Sequence, residues 1–289
     1  MKVIAFAPGH ISGFFEPVYH TQDTSRSGSR GAGINLSLGA LSEVYIEHAT
    51  TPQIDVLVNN KVTGAPTTKL AVTHLLGSRP LHVTIKTELG LPVGQGFGMS
   101  AAGALSASYA AAKLLEQPLT EAMKAAHTAE VQLRTGLGDV IASCFGGIEI
   151  RKQPGLPPWG LIEHIPGACQ LVLCVIGKRI DTRKILSDAS RMNDIVSYGK
   201  YCTKKLLENP SLENLFSLSY LFTTKTGLAT DRVLQAIEAA NHVGMASMCM
   251  LGNAVFAMGE TDNLVRTLSV FGKVCTCASD TVGTRLVEG

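Results

Sequence analysis

Aromatic residues are scarce, at 6% with a single tryptophan, and no basic run disturbs a balance of 25 Lys and Arg against 23 Asp and Glu. A nucleic-acid-binding surface needs a concentrated basic stripe with stacking platforms, so composition argues against that class. Long hydrophobic runs are missing too. Hydrophobic residues make up 45% of the chain and mean hydropathy is +0.20, yet the most apolar segments, 170–177 and 253–259, are only as long as buried strands. A bilayer span needs roughly 18 consecutive apolar residues, so no membrane segment is expected. The opening MKVIAFAPGH is too short for a signal peptide, and a cytoplasmic protein is expected. The seven cysteines are odd in number and lack paired spacing, which argues against a disulfide framework and suits a reducing compartment. Cys275 and Cys277 alternate as on a strand, with no neighbouring His or Cys pair to complete a zinc site.

What is there is room, in 289 residues, for one large or two medium domains. Residues 2–7 read as a strand, the Gly- and Ser-rich stretch to about 31 as a loop, and 33–38, 43–49 and 80–88 as strands. Helical spacing marks 67–77, 99–116 (with seven alanines) and 120–134, followed by a strand at 146–152. The stretch 153–160, with three prolines and two glycines, is the clearest linker and divides 1–153 from 160–289. The second part offers a buried strand at 169–177, helices between 182 and 242, two strands about Gly252-Asn253, a helix at 260–271 and a strand at 273–278.

The strongest chemical signal is PVGQGFGMSAAGA, residues 92–104. Gly94, Gly96 and Gly98 let backbone amides approach a ligand, and the alanine-rich helix that follows aims its free N–H groups and positive dipole end into the same loop. That is an anion site, and phosphate is its commonest guest. The loop is not a P-loop, because Met99-Ser100 replaces the Gly-Lys-Ser/Thr ending. Gly96, Gly98 and Ala101 have dinucleotide-site spacing, but Pro92 separates strand from glycines and Glu116 falls at a helix end. A turn that merely lets a helix pack closely is the bland alternative. Further on, His127, Glu130 and Arg134 share one helix face and lead into TGLGDV, whose glycines present Asp139. The bland readings are a solvated helix face and an Asp139 N-cap.

Pro92 and Gly96-Phe97-Gly98-Met99-Ser100-Ala101-Ala102 resemble the P-x-x-x-G-L-G-S-S-A-A phosphate loop of the GHMP kinases (galacto-, homoserine, mevalonate and phosphomevalonate kinases). Phe97 and Met99 depart from the usual Leu and Ser, and at Met99 one hydroxyl contact is lost. APGHISGFFEP (7–17) is similar to the first motif of that family, with His10 in place of Lys or Arg, and GMASMCMLGNAVFA (244–257) sits where the third motif lies. The resemblance implies an α+β fold in two domains, a ribosomal-protein-S5-domain-2-like N-terminal domain and a ferredoxin-like C-terminal one, with ATP and a small-molecule substrate meeting between them. It implies that Pro92, Gly94, Gly96, Gly98, Met99, Ser100 and Ala101 bind ATP, that Ser100 and Glu130 hold Mg2+, and that Asp139 takes the substrate's hydroxyl proton. The Glu-to-Asp spacing is shorter than in galactokinase-like members.

PGHISGFFEP, SGSRGAGINLS (27–37) and SMCMLGNAVFA (247–257) further resemble an archaeal branch of the family, which carries His in the first motif and phosphorylates the 4-hydroxyl of (R)-pantoate on the route to coenzyme A. Such a substrate brings a carboxylate, for which an Arg fork is best suited. Arg151 is the first choice, with Ser29, His127, Thr182 and a pocket-lining His10 as further contacts and Arg134 and Arg30 in reserve. Against each stands an ordinary reading, a solvated Arg or Ser or a turn histidine. Homoserine, mevalonate or a sugar as substrate, and a non-catalytic ligand-binding homologue, are the rival readings. Abundant apolar residues are compatible with a homodimer without locating an interface.

Overall fold

The computed structural model describes residues 2–179 and 189–288. Its first two strands are its longest, β1 (Lys2–Val18) and β2 (Gly28–His48), paired antiparallel from end to end. The Gly- and Ser-rich stretch expected as a loop is therefore largely strand. Irregularities between Pro8 and Gly9 and between Ser12 and Phe14 absorb the breakers as bulges, where a missing N–H or side chain does no harm. Only residues 19–27 connect the two strands, through a 3-10 turn at Thr24–Arg26.

The first sheet also contains β3 (Gln53–Val58), β4 (Lys61–Val62) and β5 (Leu81–Leu89), with β3 parallel to β5 across the crossover helix α1 (Pro66–Leu76). Of two further helices, α2 (Met99–Leu114) packs against β1 and β2 of this sheet, and α3 (Leu119–Leu133) packs on α1 and α2. Alanines around the whole circumference let α2 sit between sheet and helices, nearly all of it buried. A hydroxyl chain pins it there: Ser106 Oγ lies 2.7 Å from Ser42 Oγ, which is 2.8 Å from Thr87 Oγ1.

After α4 (Asp139–Phe145), β6 (Ile148–Gln153) pairs with the first part of β2, and β7 (Leu161–Ile165) pairs with β6. The Pro-rich stretch is thus a connection within the first sheet, and the chain changes sheets only beyond Ile165. The second sheet holds β8 (Gln170–Val175), β9 (Gly244–Met248), β10 (Ala254–Gly259) and β11 (Lys273–Ala278) in the order β11-β8-β10-β9, all antiparallel. Helices α5 (Ala189–Glu208), α6 (Leu212–Thr226) and α7 (Asp231–Asn241) precede β9, and α8 (Thr261–Ser269) precedes β11. Strand–helix–strand–strand–helix–strand in this order is the ferredoxin-like arrangement. A final strand, β12 (Arg285–Glu288), returns to the first sheet and pairs with β1.

Candidate active site

Three segments far apart in sequence are folded backbone to backbone at one end of the first sheet. The amide of His10 in β1 donates to the Phe97 carbonyl at 3.0 Å, and that of Met250 donates to the Ser12 carbonyl at 3.2 Å. Gly96 has φ +79°, and a methyl there would lie 2.7 Å from the Cys249 carbonyl oxygen. Gly96 is thus required by the approach of the 249–250 backbone as well as by the turn. Gln95, which sequence reasoning passed over, ties the loop to the second sheet: its amide donates to the Gly177 carbonyl at 2.9 Å and accepts from the Asn253 amide at 3.2 Å. Phe97 and Met99, the two departures from the family motif, are buried anchors of the loop.

Between these segments and the turn after α3 lies a cleft of about 570 Å³. Gly94, Gly96, Gly98, Met99, Ser100 and Ala101 form one wall. Gly98 caps α2 in the left-handed conformation with no side-chain hydrogen bond, and the helix's first amide bond back to that cap is made by Ala102. The amides of residues 99–101 are therefore left for a ligand, which suits an anion. Pro92 is exposed and is not part of this wall. Ser100 Oγ donates to Thr67 Oγ1 at 3.1 Å, and Thr67 lies 3.4 Å from Thr135 Oγ1, so α1 contributes a hydroxyl beside the one that Met99 lacks.

The opposite wall carries the acids. Glu130 sits in the last turn of α3, which Arg134 closes in the left-handed conformation, and Asp139 opens α4. A methyl at Gly136 would come within 2.3 Å of Glu130 Oε1 and 3.3 Å of Asp139 Oδ2, so a bare backbone lets both carboxylates share this turn. Burial, then the neighbouring Asp139 charge, pushes the Glu130 carboxyl well above the usual carboxylate range. Its Oε2 is buried without a hydrogen-bond partner among the described residues. An orphaned acidic oxygen and the Ser100 hydroxyl on one cleft are a donor set that fits a hard divalent cation. Asp139 is not the N-cap of α4, a place taken by Gly138. Its Oδ1 instead accepts from His10 Nδ1 at 2.7 Å.

Of the residues expected around a substrate carboxylate, Ser29 lines the cleft, and Arg151 lies directly behind it, 1% exposed. Arg151 donates to Ser29 Oγ (3.2 Å), to Ser12 Oγ (3.0 Å) and, very closely, to Glu149. Its charge reaches the cleft through two oriented hydroxyls, one of them, Ser12, not foreseen. His10 does not line the cleft: it is fully buried, because the β1 bulge turns it towards β6, where Nε2 donates to Glu149 Oε1 at 2.8 Å. Nor does His127, whose Nε2 donates to the carbonyls of Thr24 and Ser27 and anchors the β1–β2 connection; burial holds its pKa down. Thr182 lies outside the described residues. Arg179, unforeseen, also lines the cleft.

A helix start suited to an anion, facing a carboxylate pair across one cleft, is the arrangement that a small-molecule kinase site needs. A family model described as the GHMP kinases N terminal domain matches residues 61–147. The chain belongs to the GHMP kinase family, which uses ATP. Among its relatives, the pantoate kinase of Methanocaldococcus jannaschii is 32% identical over 94% of this chain and 98% of its own. That of Thermococcus kodakarensis is 34% identical over 89% and 88%. A solved structure titled "Phosphotransferase related to CoA biosynthesis pathway" superposes with a TM-score of 0.90 at 29% identity, covering 100% of this chain and 99% of its own.

Proposed function

We propose that this protein transfers the γ-phosphoryl group of ATP, with Mg2+, to the 4-hydroxyl of (R)-pantoate. The observation that carries the substrate choice is the likeness to pantoate kinases over nearly the full length of both chains. The geometry supports it, because an acid acceptor needs positive charge at a fixed distance from the phosphate loop. Arg151 supplies that charge behind Ser12 and Ser29, which line the same cleft as Gly98, Ser100 and Asp139.

In this reading the amides of residues 99–101 and the Gly94–Gly98 turn hold the triphosphate. Ser29 and Ser12 hold the pantoate carboxylate, and Asp139 accepts the hydroxyl proton as the 4-oxygen bonds to the γ-phosphorus and the bond to the β–γ bridging oxygen breaks, releasing ADP. Ser100 and Glu130 would hold the Mg2+, whose contribution is neutralisation of phosphate charge. Glu130 must give up a proton to do so, since its buried carboxyl favours the neutral form.

An ADP-release assay with (R)-pantoate, homoserine, mevalonate and galactose as separate acceptors tests the proposal. Pantoate should give the largest kcat/KM by at least about a hundredfold. A preference for another alcohol would reassign the substrate, and ATP binding by calorimetry with turnover of none would make the chain a sensor.

A further inference from the structure

Glu149 touches no part of the cleft, yet two of the residues behind the cleft wall converge on it. It stands on β6, two residues from Arg151 and on the same face, opposite Gly33 of β2. Its Oε1 accepts from both His10 Nε2 and Arg151 Nη1, whose own separation is 3.3 Å. The other nitrogen of His10 meets Asp139 Oδ1. A neutral imidazole has one N–H, and here each nitrogen faces a carboxylate oxygen, so the arrangement calls for the doubly protonated ring. Gly33 makes room for this contact: a methyl there would lie 2.4 Å from His10 Nε2 and 2.9 Å from Glu149 Oε1.

We propose that Glu149 is a positioning residue which, through His10, fixes the orientation of Asp139 and, through its other contact, fixes Arg151. One buried carboxylate thereby sets both the proton acceptor and the charge behind the substrate-binding serines; these two roles rest on the functional reading above. The charges facing His10 are Asp139 from α4 and Glu149 and Arg151 from β6. Burial by itself lowers the pKa of His10, but the hydrogen bonds and charges of Asp139 and Glu149 outweigh it and leave the pKa raised. Activity that depends on this imidazolium declines once the pH passes that raised value.

The test pairs a spectroscopic reading with a kinetic one. Histidine-labelled protein without nucleotide is titrated by NMR, and kcat is measured against pH with ATP and pantoate, for the wild type, Glu149→Gln and His10→Lys. In Glu149→Gln the His10 midpoint should fall, the alkaline limb of kcat should move down with it, and kcat should drop about 10- to 100-fold with an unchanged KM for ATP. In His10→Lys the alkaline limb should move to higher pH, because Lys stays charged to about pH 10. A Glu149→Gln protein whose His10 midpoint and alkaline limb both match the wild type overturns the proposal. Failure to phosphorylate pantoate would instead refute the substrate reading, while the NMR titration still reports whether Glu149 controls His10.

Discussion

At the scale of single residues, the site separates groups that face the cleft from groups that hold them. Ser100→Ala and Asp139→Asn remove cleft-facing groups and should each lower kcat by about a hundredfold or more with little change in melting temperature. Near-normal turnover in Asp139→Asn would move the proton acceptor elsewhere. Arg151 behaves differently from a surface carboxylate clamp. At 1% exposure, Arg151→Met leaves Glu149 buried and short of a counter-charge, which should cost about 3–5 kcal/mol of stability, visible as a lower urea midpoint. His10 adds a pH dependence. Its folded pKa is raised above the ordinary histidine value of 6.5, so its contribution to stability is complete below that pH and is lost as the pH rises through the folded value. The urea midpoint of the wild type should therefore fall as the pH is raised above 6.5, and this fall should be missing in His10→Gln. That Ser100, Glu130 and Asp139 would meet on one cleft was legible because short local patterns carry them: a glycine turn opening a helix, and one helix face running into a tight turn. Ser12 and Glu149 were not, since each acquires its role only through cross-strand pairing with β2. The one available signal was the two-residue spacing of Glu149 and Arg151, which puts them on a single strand face.

At the scale of elements, regular periodicity was easy to read and interrupted strands were not. The helices α1, α2 and α3 and the strand β5 stand within two residues of their expected bounds, because alanine runs, apolar spacing and a following Gly or Pro all agree. The first hairpin was misread because Pro8, Gly9 and Gly13 look like loop formers, although a bulged strand accommodates all three. The consequence is functional, for this bulged part of β1 carries His10 inward and Ser12 towards the cleft. The glycine turn at 94–98 has a similar double constraint. Gly96→Ala introduces a side chain at φ +79° and 2.7 Å from the Cys249 carbonyl oxygen. The loop must shift away from the 249–250 backbone, at about 1–3 kcal/mol. We expect weaker ATP binding by calorimetry, at least tenfold, with the affinity for pantoate less affected. Equal weakening for both ligands would show that the change spreads beyond the loop.

At the scale of the whole molecule, β1 is held from both sides, by the first sheet and by the helices of the second part. Its first half pairs with the returning β12 at Ile4, Ala5 and Phe6. Arg285 of β12 lies 4.6 Å over the Phe6 ring and pairs with Asp280 at 2.9 Å. The second half of β1 runs beneath α5 and α6. There a methyl at Gly199 would lie 2.2 Å from the Phe15 carbonyl, and Phe14 and Phe15 both pack on Phe222, with ring centroids 6.5 and 5.7 Å away. The residues between these halves, His10 and Ser12, belong to the site. A strand clamped at both ends should make the two sheets melt together rather than in sequence. The single tryptophan, Trp159, stacks under Arg26 in the β6–β7 connection and so reports on the first sheet, whereas far-UV circular dichroism reads the helices packed on both sheets. Both signals should give one coincident midpoint. In a chain shortened to residue 284, losing β12 exposes the edge of β1 and removes the Arg285 contacts, so both midpoints should drop together by several degrees. Two separate midpoints in the full chain would mean that β1 does not couple the two sheets and that one of them unfolds before the other.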